Sequence, residues 1–410
     1  MKNAEGIRII KEDIRFLESQ LASAQAAVEE AQRVVVTLTK RLAERRSSIA
    51  PIRLLPTELL SSIFELCALD DWGSAVSIGC VCRHLRNVVL NTPRAWCTIP
   101  LPEFTGMTEL YLERSRNCKL HMDQPRLSSL PEDVVRRIQC VTLSSFKGSD
   151  FTVSFSSLER LSVVHCDRGF DITSITSITF PALRHLDMSR VGTLTGVVPS
   201  LLPPLETLGV YAMRNQQTWL AVIRGCSASL KSLCISASTI EPIIVPADID
   251  LPMLHYLRIA PPSSTITELH SSAPRLQVYI NPYSNPIYSI LAHGWQTITH
   301  LRINKQPPLS VMTNIRALQL RLSSHDILEL LEELRTSKTV LHHLKSLEFS
   351  SYILKDGGTM ATQLLINAWE STNYPGLKPL LVGEPWAKEP PWNPFGSVRD
   401  LYQVNGSYSQ

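Results

Sequence analysis

One part of the sequence reads R-L-L-P-T-E-L-L-S-S-I-F-E-L-C over residues 53–67, V-C-R-H-L-R-N-V-V over residues 81–89 and P-R-A-W over residues 93–96. Its apolar residues recur every three or four positions, which predicts a helix that opens near Pro56. The apolar face of that helix would carry Leu55, Leu59, Ile63, Phe64 and Leu66. A second helical run is predicted from Ala75 to Leu90, with Trp96 beyond it as a bulky anchor. A unit of about forty-five residues buries little core by itself, so a partner surface is expected.

These residues resemble the F-box, a helical module that docks its carrier onto the Skp adaptor of cullin-RING ubiquitin ligases. The resemblance is carried, in order, by Leu55-Pro56, Glu58-Leu59, Ile63-Phe64, Val81-Cys82-Arg83 and Trp96. The chain departs from the family at Leu85, where tryptophan is common. The resemblance implies an adaptor-binding surface made of Leu55, Pro56, Leu59, Ile63, Phe64, Val81, Cys82 and Leu85. The alternative is an ordinary helical hairpin that belongs to a larger core.

A regular heptad pattern precedes this module over residues 7–46. With Ile7 at position a, we define the seam as the residues at a (Ile7, Ile14, Leu21, Val28, Val35, Leu42) and at d (Ile10, Leu17, Ala24, Ala31, Leu38). Such a seam is typical of a coiled coil, and β-branched residues at four of the six a positions favour a parallel two-stranded pair. A modest homodimer through residues 7–46 is therefore predicted. The alternative is a single amphipathic helix folded back on its own domain.

After Trp96 the sequence repeats a pattern of apolar-x-x-apolar-x-apolar. The repeats begin at Ile138, Leu158, Leu183, Leu205, Leu230, Leu254, Leu276 (in shortened form), Ile298, Ile315 and Leu344. Their spacing of 17 to 29 residues is close to that of leucine-rich repeats. Each repeat would supply one short strand whose apolar side chains are buried only when neighbouring repeats stack in parallel. The sequence therefore predicts a parallel-sheet solenoid.

This resemblance to leucine-rich repeats has limits. Those repeats usually place Asn or Cys three residues after the last apolar residue of the strand, and here only Cys166 does so. An irregular solenoid is therefore expected. Its concave face would carry the polar residues of the strands and would bind a target, with Arg184, Arg258 and Arg302 in a basic stripe. The alternative is an ordinary solvated sheet face. The order of a helical module followed by repeats resembles F-box and leucine-rich-repeat proteins, of which fungi have large families.

Composition excludes several classes of protein. The net charge of +3 is too small to indicate nucleic-acid binding, and no apolar run approaches the length of a membrane span. Nine scattered cysteines are typical of free thiols in a reducing compartment, so an intracellular location, cytoplasmic or nuclear, is expected. No phosphate-loop, dinucleotide, zinc-protease or nucleophile-elbow motif occurs. His165-Cys166-Asp167 and His342-His343 lack further ligands or partners, so we expect no catalytic residues, metal or cofactor.

These observations predict an α+β chain in four parts: a heptad helix (1–50), an F-box module (51–98), a leucine-rich-repeat-like solenoid (99–370) and a Pro/Trp-rich tail (371–410). The resemblance implies a non-enzymatic substrate receptor that binds the Skp adaptor, and through it a cullin, while the repeats hold a protein target. The alternatives are an interaction scaffold with an F-box-like module and an enzyme whose site lies on the solenoid. The sequence does not identify the target.

Overall fold

The chain forms two compact units, Met1–Trp96 and Cys97–Gln410, in a computed structural model. The structure describes residues 2–48, 51–100, 105–125, 127, 130–144, 154–164, 170–189, 191, 194–195, 199–213, 216–237, 243–245, 248–260, 267–269, 272–281, 295–303, 312–321, 329–330, 343–350 and 380–382. The predicted C-terminal tail and the His165-Cys166-Asp167 run lie outside these residues, apart from 380–382.

The first unit begins with helix α1 (Lys2–Ser48), an uninterrupted helix of 47 residues. All its side chains between residues 8 and 43 are exposed, including every seam residue in that range. The alternative of a helix folded back on its own domain is therefore not observed among the described residues.

Three shorter helices follow: α2 (Thr57–Asp70), α3 (Ser74–Val81) and α4 (Arg83–Leu90), flanked by 3-10 turns at Pro51–Leu54 and Pro93–Trp96. The prediction of one helix from Ala75 to Leu90 was wrong. The chain breaks at Cys82, whose backbone is extended (φ −158°, ψ 166°). Asp71 starts α3 by accepting hydrogen bonds from the Gly73 N–H (3.1 Å) and the Ser74 hydroxyl (3.3 Å).

The second unit is built on a parallel sheet of thirteen strands within the described residues. Their order along the sheet is β1-β2-β3-β4-β6-β8-β9-β11-β13-β14-β15-β16-β17, and two small parallel pairs, β5-β7 and β10-β12, lie outside it. The strands are β1 (Thr98–Ile99), β2 (Leu120–Asp123), β3 (Ile138–Ser144), β4 (Arg160–Val164), β5 (Phe170–Asp171), β6 (His185–Ser189), β7 (Leu194–Thr195), β8 (Thr207–Met213), β9 (Ser232–Ala237), β10 (Ile243–Val245), β11 (Tyr256–Ile259), β12 (Thr267–Leu269), β13 (Val278–Asn281), β14 (His300–Ile303), β15 (Ala317–Arg321), β16 (Ser346–Ser350) and β17 (Leu380–Val382).

All ten predicted repeat strands are present, and the sheet also contains β1, β2 and β17, which the repeat pattern did not predict. Helices α5 (Thr105–Arg114), α6 (Glu132–Arg137) and α7 (Gln216–Cys226) are the longer helices described between them. Successive central leucines are register partners, as Leu161 with Leu186 and Leu186 with Leu208. The predicted α+β architecture, with its long N-terminal helix and parallel repeat sheet, is confirmed.

Eight of the ten repeats also bury an apolar residue three positions before their first predicted one. This position holds Val135, Phe155, Phe180, Leu202, Leu251, Ala273, Trp295 and Met312, all of them buried. The Phe155 and Phe180 rings stack with centroids 5.3 Å apart. The sequence analysis missed this position, although it could have been recognised from the fixed spacing.

Backbone hydrogen bonds fix the register at the start of each strand. One carbonyl there accepts the N–H groups of two successive residues from the next repeat: Glu159 O accepts from Arg184 (3.0 Å) and His185 (3.0 Å). The same pair of hydrogen bonds forms at later strands, where the accepting carbonyls are those of Glu206, Lys231, His255, Gln277, Thr299 and Arg316. Each repeat is therefore aligned by its neighbour.

Phe180→Ala should lower the free energy of unfolding of the repeat unit by about 3–5 kcal/mol, because it opens a cavity beside Phe155 in a fully buried layer. The control is Ile178→Ala, since Ile178 is 81% exposed and should change stability by less than about 0.5 kcal/mol. Denaturant titration of the full chain measures both values. Equal effects of the two substitutions would contradict the assignment of this layer.

Candidate functional site

Helix α2 carries two apolar stripes on different sides. The inner stripe is Leu60, Phe64 and Ala68, which are at most 3% exposed. The outer stripe is Leu59, Ile63 and Leu66, which are 43% to 64% exposed. Both sets recur at helical spacing. Leu59 and Ile63 each precede an inner residue by one position, which is a rotation of about 100° around the helix axis. A helix that is apolar on two sides has one side left for a partner.

The inner stripe belongs to a small core that holds the three helices together. Leu85, Val88 and Val89 of α4 and the Trp96 ring are buried in it. The indole Nε1 of Trp96 donates to the Val89 carbonyl at 2.8 Å, so the predicted anchor is in place. The Arg86 Nε donates to the Gly79 carbonyl at 2.7 Å and joins α3 to α4. These contacts leave the outer stripe of α2 outside the core.

The structure divides the eight predicted adaptor-binding residues into two groups. Phe64 and Leu85 are core residues, 3% and 5% exposed. The exposed residues are Leu55, Pro56, Leu59, Ile63 and Val81, and Cys82 is half-buried. Placing Phe64 on the same face as Leu59 was therefore wrong, because Phe64 belongs to the inner stripe.

Further apolar residues extend this exposed surface beyond the predicted set. Ile52, Leu54 and Leu66 are 42%, 78% and 64% exposed, and Leu54 leads directly into Leu55. We define the outer surface as Leu54, Leu55, Leu59, Ile63 and Leu66. Exposed apolar side chains concentrated on one helix and its leading turn are typical of a protein-binding site.

Cys82 lies at the junction of α3 and α4. Backbone N–H groups of Leu85 and His84, at the first turn of α4, hold the pKa of the Cys82 thiol below its usual range. The extended backbone of Cys82 separates the two helices.

The second unit was expected to present a solvated polar face. Residues that alternate with the leucines form one continuous register row across the sheet, which we call the central row. It consists of Asp123, Thr142, Ser162, Asp187, Gly209, Cys234, Arg258, Ile280, Arg302, Gln319 and Glu348. Much of this row is buried: Ser162, Asp187, Cys234, Ile280 and Arg302 are at most 5% exposed. The expectation that the polar strand residues project into solvent was therefore wrong for Asp187 and Arg302.

An apolar cluster adjoins the middle of the row, where Cys234 and Ile280 flank Arg258. Cys234, Tyr256 and Ile280 form a buried cluster against which Tyr211 and Val278 pack. The predicted basic stripe is not formed, because Ile280 separates Arg258 from Arg302 and Arg184 precedes β6 rather than lying in the row.

Asp187 is the most unusual residue of the central row. It is 1% exposed, and neither carboxylate oxygen has a hydrogen-bond partner among the described residues. Burial raises the pKa of its carboxyl group to about 6. A β-carbon at the neighbouring Gly209 would collide with Asp187 Oδ1 and with the Tyr211 ring, so glycine makes room for both side chains.

Charged residues that lead into the strands are more exposed. The Lys119 Nζ lies 2.6 Å from Glu159 Oε1, and the Lys231 Nζ lies 2.8 Å from Glu206 Oε2. Hydrogen bonds from these lysines lower the pKa of both glutamates. At the corresponding position of later repeats, Arg316 and Lys345 are exposed. This edge of the sheet therefore offers accessible charge that the central row does not.

Within the described ranges, no cluster of three His, Cys, Asp or Glu side chains could hold a metal ion. The eight cysteines described there are free thiols, of which three are buried, namely Cys97, Cys226 and Cys234. None of the described helices combines the length and apolar character that crossing a lipid bilayer requires.

Residues 146–335 match a family model described as "FBD-associated F-box protein At5g56370, LRR repeats". The match supports an F-box and leucine-rich-repeat type of protein. It covers 190 of 410 residues, a little under half of the chain, and includes β4 to β15 but not the helical module. The fungal group named by the sequence resemblance stays a prediction. No curated protein matches the chain.

Asp187→Asn should stabilise the repeat unit at pH 7.5 by up to about 3 kcal/mol, because a pKa raised from 3.8 to about 6 penalises the charged carboxylate. The folded state binds this proton more tightly than the unfolded state. Stability of the natural chain should therefore fall as pH rises from about 4 to about 6.

Denaturant titrations of both chains at pH 5.0 and 7.5 test this. The advantage of the Asn variant should shrink to roughly half at pH 5.0, while other titrating groups cancel in the comparison. An advantage that is the same at both pH values would contradict a buried, titrating Asp187.

Proposed function

We infer that this chain is the target-recognition subunit of a Skp–cullin–F-box ubiquitin ligase. The helical module would dock onto the Skp adaptor through its outer surface, and the repeat unit would bind a target protein. The observation that carries this proposal is the exposure of the outer stripe of α2 beside a complete inner core. The F-box resemblance and the family match to F-box-associated repeats support it.

Energetics favour a protein partner on the outer surface. Each large aliphatic side chain contributes about 1.5–3 kcal/mol when it is fully buried, and the outer surface offers five such residues that are at least one-third exposed. Arg53, Glu58 and Ser62 surround them with polar groups that are themselves exposed. An apolar centre with a polar rim is the usual anatomy of a protein–protein interface.

In this proposal the chain performs no bond chemistry. It would hold a target close to a ubiquitin-charged enzyme that the cullin brings to the complex, so its contribution is proximity. We propose an intracellular location, cytoplasmic or nuclear, where free cysteines are stable. The target stays unidentified.

The double substitution Leu59→Ala/Ile63→Ala should weaken Skp-adaptor binding by about 2–4 kcal/mol, because it removes the centre of the apolar surface. Both residues are exposed, so the fold should be retained. Leu69→Ala is the matched control: Leu69 is 54% exposed on the same helix but turned about 90° from the outer stripe.

Calorimetric titration of each full chain with the adaptor measures the effect. If the natural chain binds and the double variant binds equally well, docking uses another surface. If the folded natural chain does not bind at all, the interaction scaffold is the better description.

Target capture should depend on the exposed basic residues at the edge of the repeat sheet. Arg316→Glu/Lys345→Glu should change the set of proteins captured in proximity labelling, since charge at an accessible rim sets partner choice. Adaptor binding should stay unchanged. Arg275→Glu, an exposed charge reversal on the turn before β13, is the control. An unaltered set of captured proteins with the double variant would remove this edge from the recognition surface.

A further inference from the structure

Helix α1 exposes a continuous apolar seam. Its large seam residues from Ile10 to Leu42 are 47% to 62% exposed. The helix runs without a break through the whole heptad pattern. A helix in a protein gains most of its stability from packing its apolar face, and contiguous exposed apolar surface marks an interaction site. The question is what covers the seam.

A parallel, in-register pair with a second copy meets charge conflicts. In such a pair, each g residue faces the e residue of the partner's next heptad. Asp13 would then face Glu18 of the second copy, and Arg41 would face Arg46. Two-fold symmetry repeats each like-charge contact. The same arrangement sets Ala24 against Ala24 and Ala31 against Ala31, so two layers bury little apolar area.

An antiparallel pair avoids both the like-charge contacts and the alanine-on-alanine layers when the two helices are aligned in one particular register. When Ile14 lies opposite Leu38 of the second copy, a and d residues alternate across the seam in mixed layers. The layers are Ile10 with Leu42, Ile14 with Leu38, Leu17 with Val35, Leu21 with Ala31 and Ala24 with Val28. Each alanine meets a larger side chain, and each layer occurs twice because of the two-fold axis.

The charges agree with this register. In an antiparallel pair, g residues face g residues, which brings Asp13 of one copy beside Arg41 of the other, twice. Glu18, at an e position, faces the uncharged Gln32. Two like-charge contacts of the parallel pair are thus replaced by an opposite-charge contact and a neutral one. Flanking charges of this kind set orientation in coiled coils.

We propose that the seam of α1 is covered by a second copy of this chain, in an antiparallel two-stranded coiled coil with Ile14 opposite Leu38. This changes the orientation predicted from the β-branched a positions, because charge and layer size outweigh that preference here. The inference stands apart from the proposed ligase role. It places the two helix C-termini about 65 Å apart, at 1.5 Å per residue. Each terminus leads within a few residues into the α2 of its own copy.

Disulfide cross-linking of full chains tests the orientation. Chains carrying Ile14→Cys are mixed with chains carrying Leu38→Cys, oxidised gently, digested without reduction and mapped by mass spectrometry, which separates the new link from the natural cysteines. The proposal expects a disulfide between positions 14 and 38. In a parallel pair these positions are about 36 Å apart and cannot be linked.

The single variants complete this test. Ile14→Cys alone should give no link between two copies of position 14, because these also lie about 36 Å apart in the antiparallel pair. A 14-to-14 disulfide would establish the parallel pair and overturn the proposal. Absence of the 14-to-38 link in chains that sediment as dimers would overturn the register.

Two adjacent valines provide a matched test of the seam itself. Val35 and Val36 are 62% and 68% exposed, but Val35 lies in the seam and Val36 beside it. Val35→Glu should raise the dimer dissociation constant by roughly a hundredfold or more, since it sets a charge against Leu17. Val36→Glu should change it by less than about threefold. Sedimentation equilibrium on the full chains measures both. A natural chain that is monomeric at micromolar concentration, or equal effects of the two variants, would overturn the proposal.

Discussion

The structure depends on the parallel stacking of short strands that bury their leucines only against each other. No single repeat can remove its central leucine from water, because a strand of four or five residues has no second layer of its own. The paired hydrogen bonds to the Glu159, Glu206 and Lys231 carbonyls set the register, and the register places leucine on leucine. This alignment also brings the residues that lead into successive strands side by side, and they form the charged edge of the sheet.

The same principle of incomplete burial explains the helical module. Its three helices are too short to cover both apolar stripes of α2, so Leu60, Phe64 and Ala68 become core while Leu59, Ile63 and Leu66 stay in water. Among the described residues, no side chain packs over the seam of helix α1. The first unit therefore carries two apolar surfaces of different chemistry. One is a short patch suited to a globular partner, and the other is a long seam suited to a second helix.

Periodicity predicted the elements well where one residue spacing dominated. The heptads predicted α1, and the leucine motif predicted ten strands and their parallel order. Prediction failed where local geometry depends on a single residue, as at Cys82, where an extended backbone divides the expected helix. Assigning Phe64 to the outer face failed because two stripes one residue apart overlap in sequence. The burial of Asp187 and Arg302 was not predictable, since it depends on neighbouring strands that are about twenty residues away in sequence.

Docking of the outer surface of the helical module onto a Skp adaptor can be measured by calorimetric titration of the intact, folded chain with that adaptor. We expect saturable one-to-one binding with a negative heat-capacity change, because apolar surface leaves water on docking. Binding with no heat-capacity change, or a flat titration from a chain shown to be folded, would contradict it.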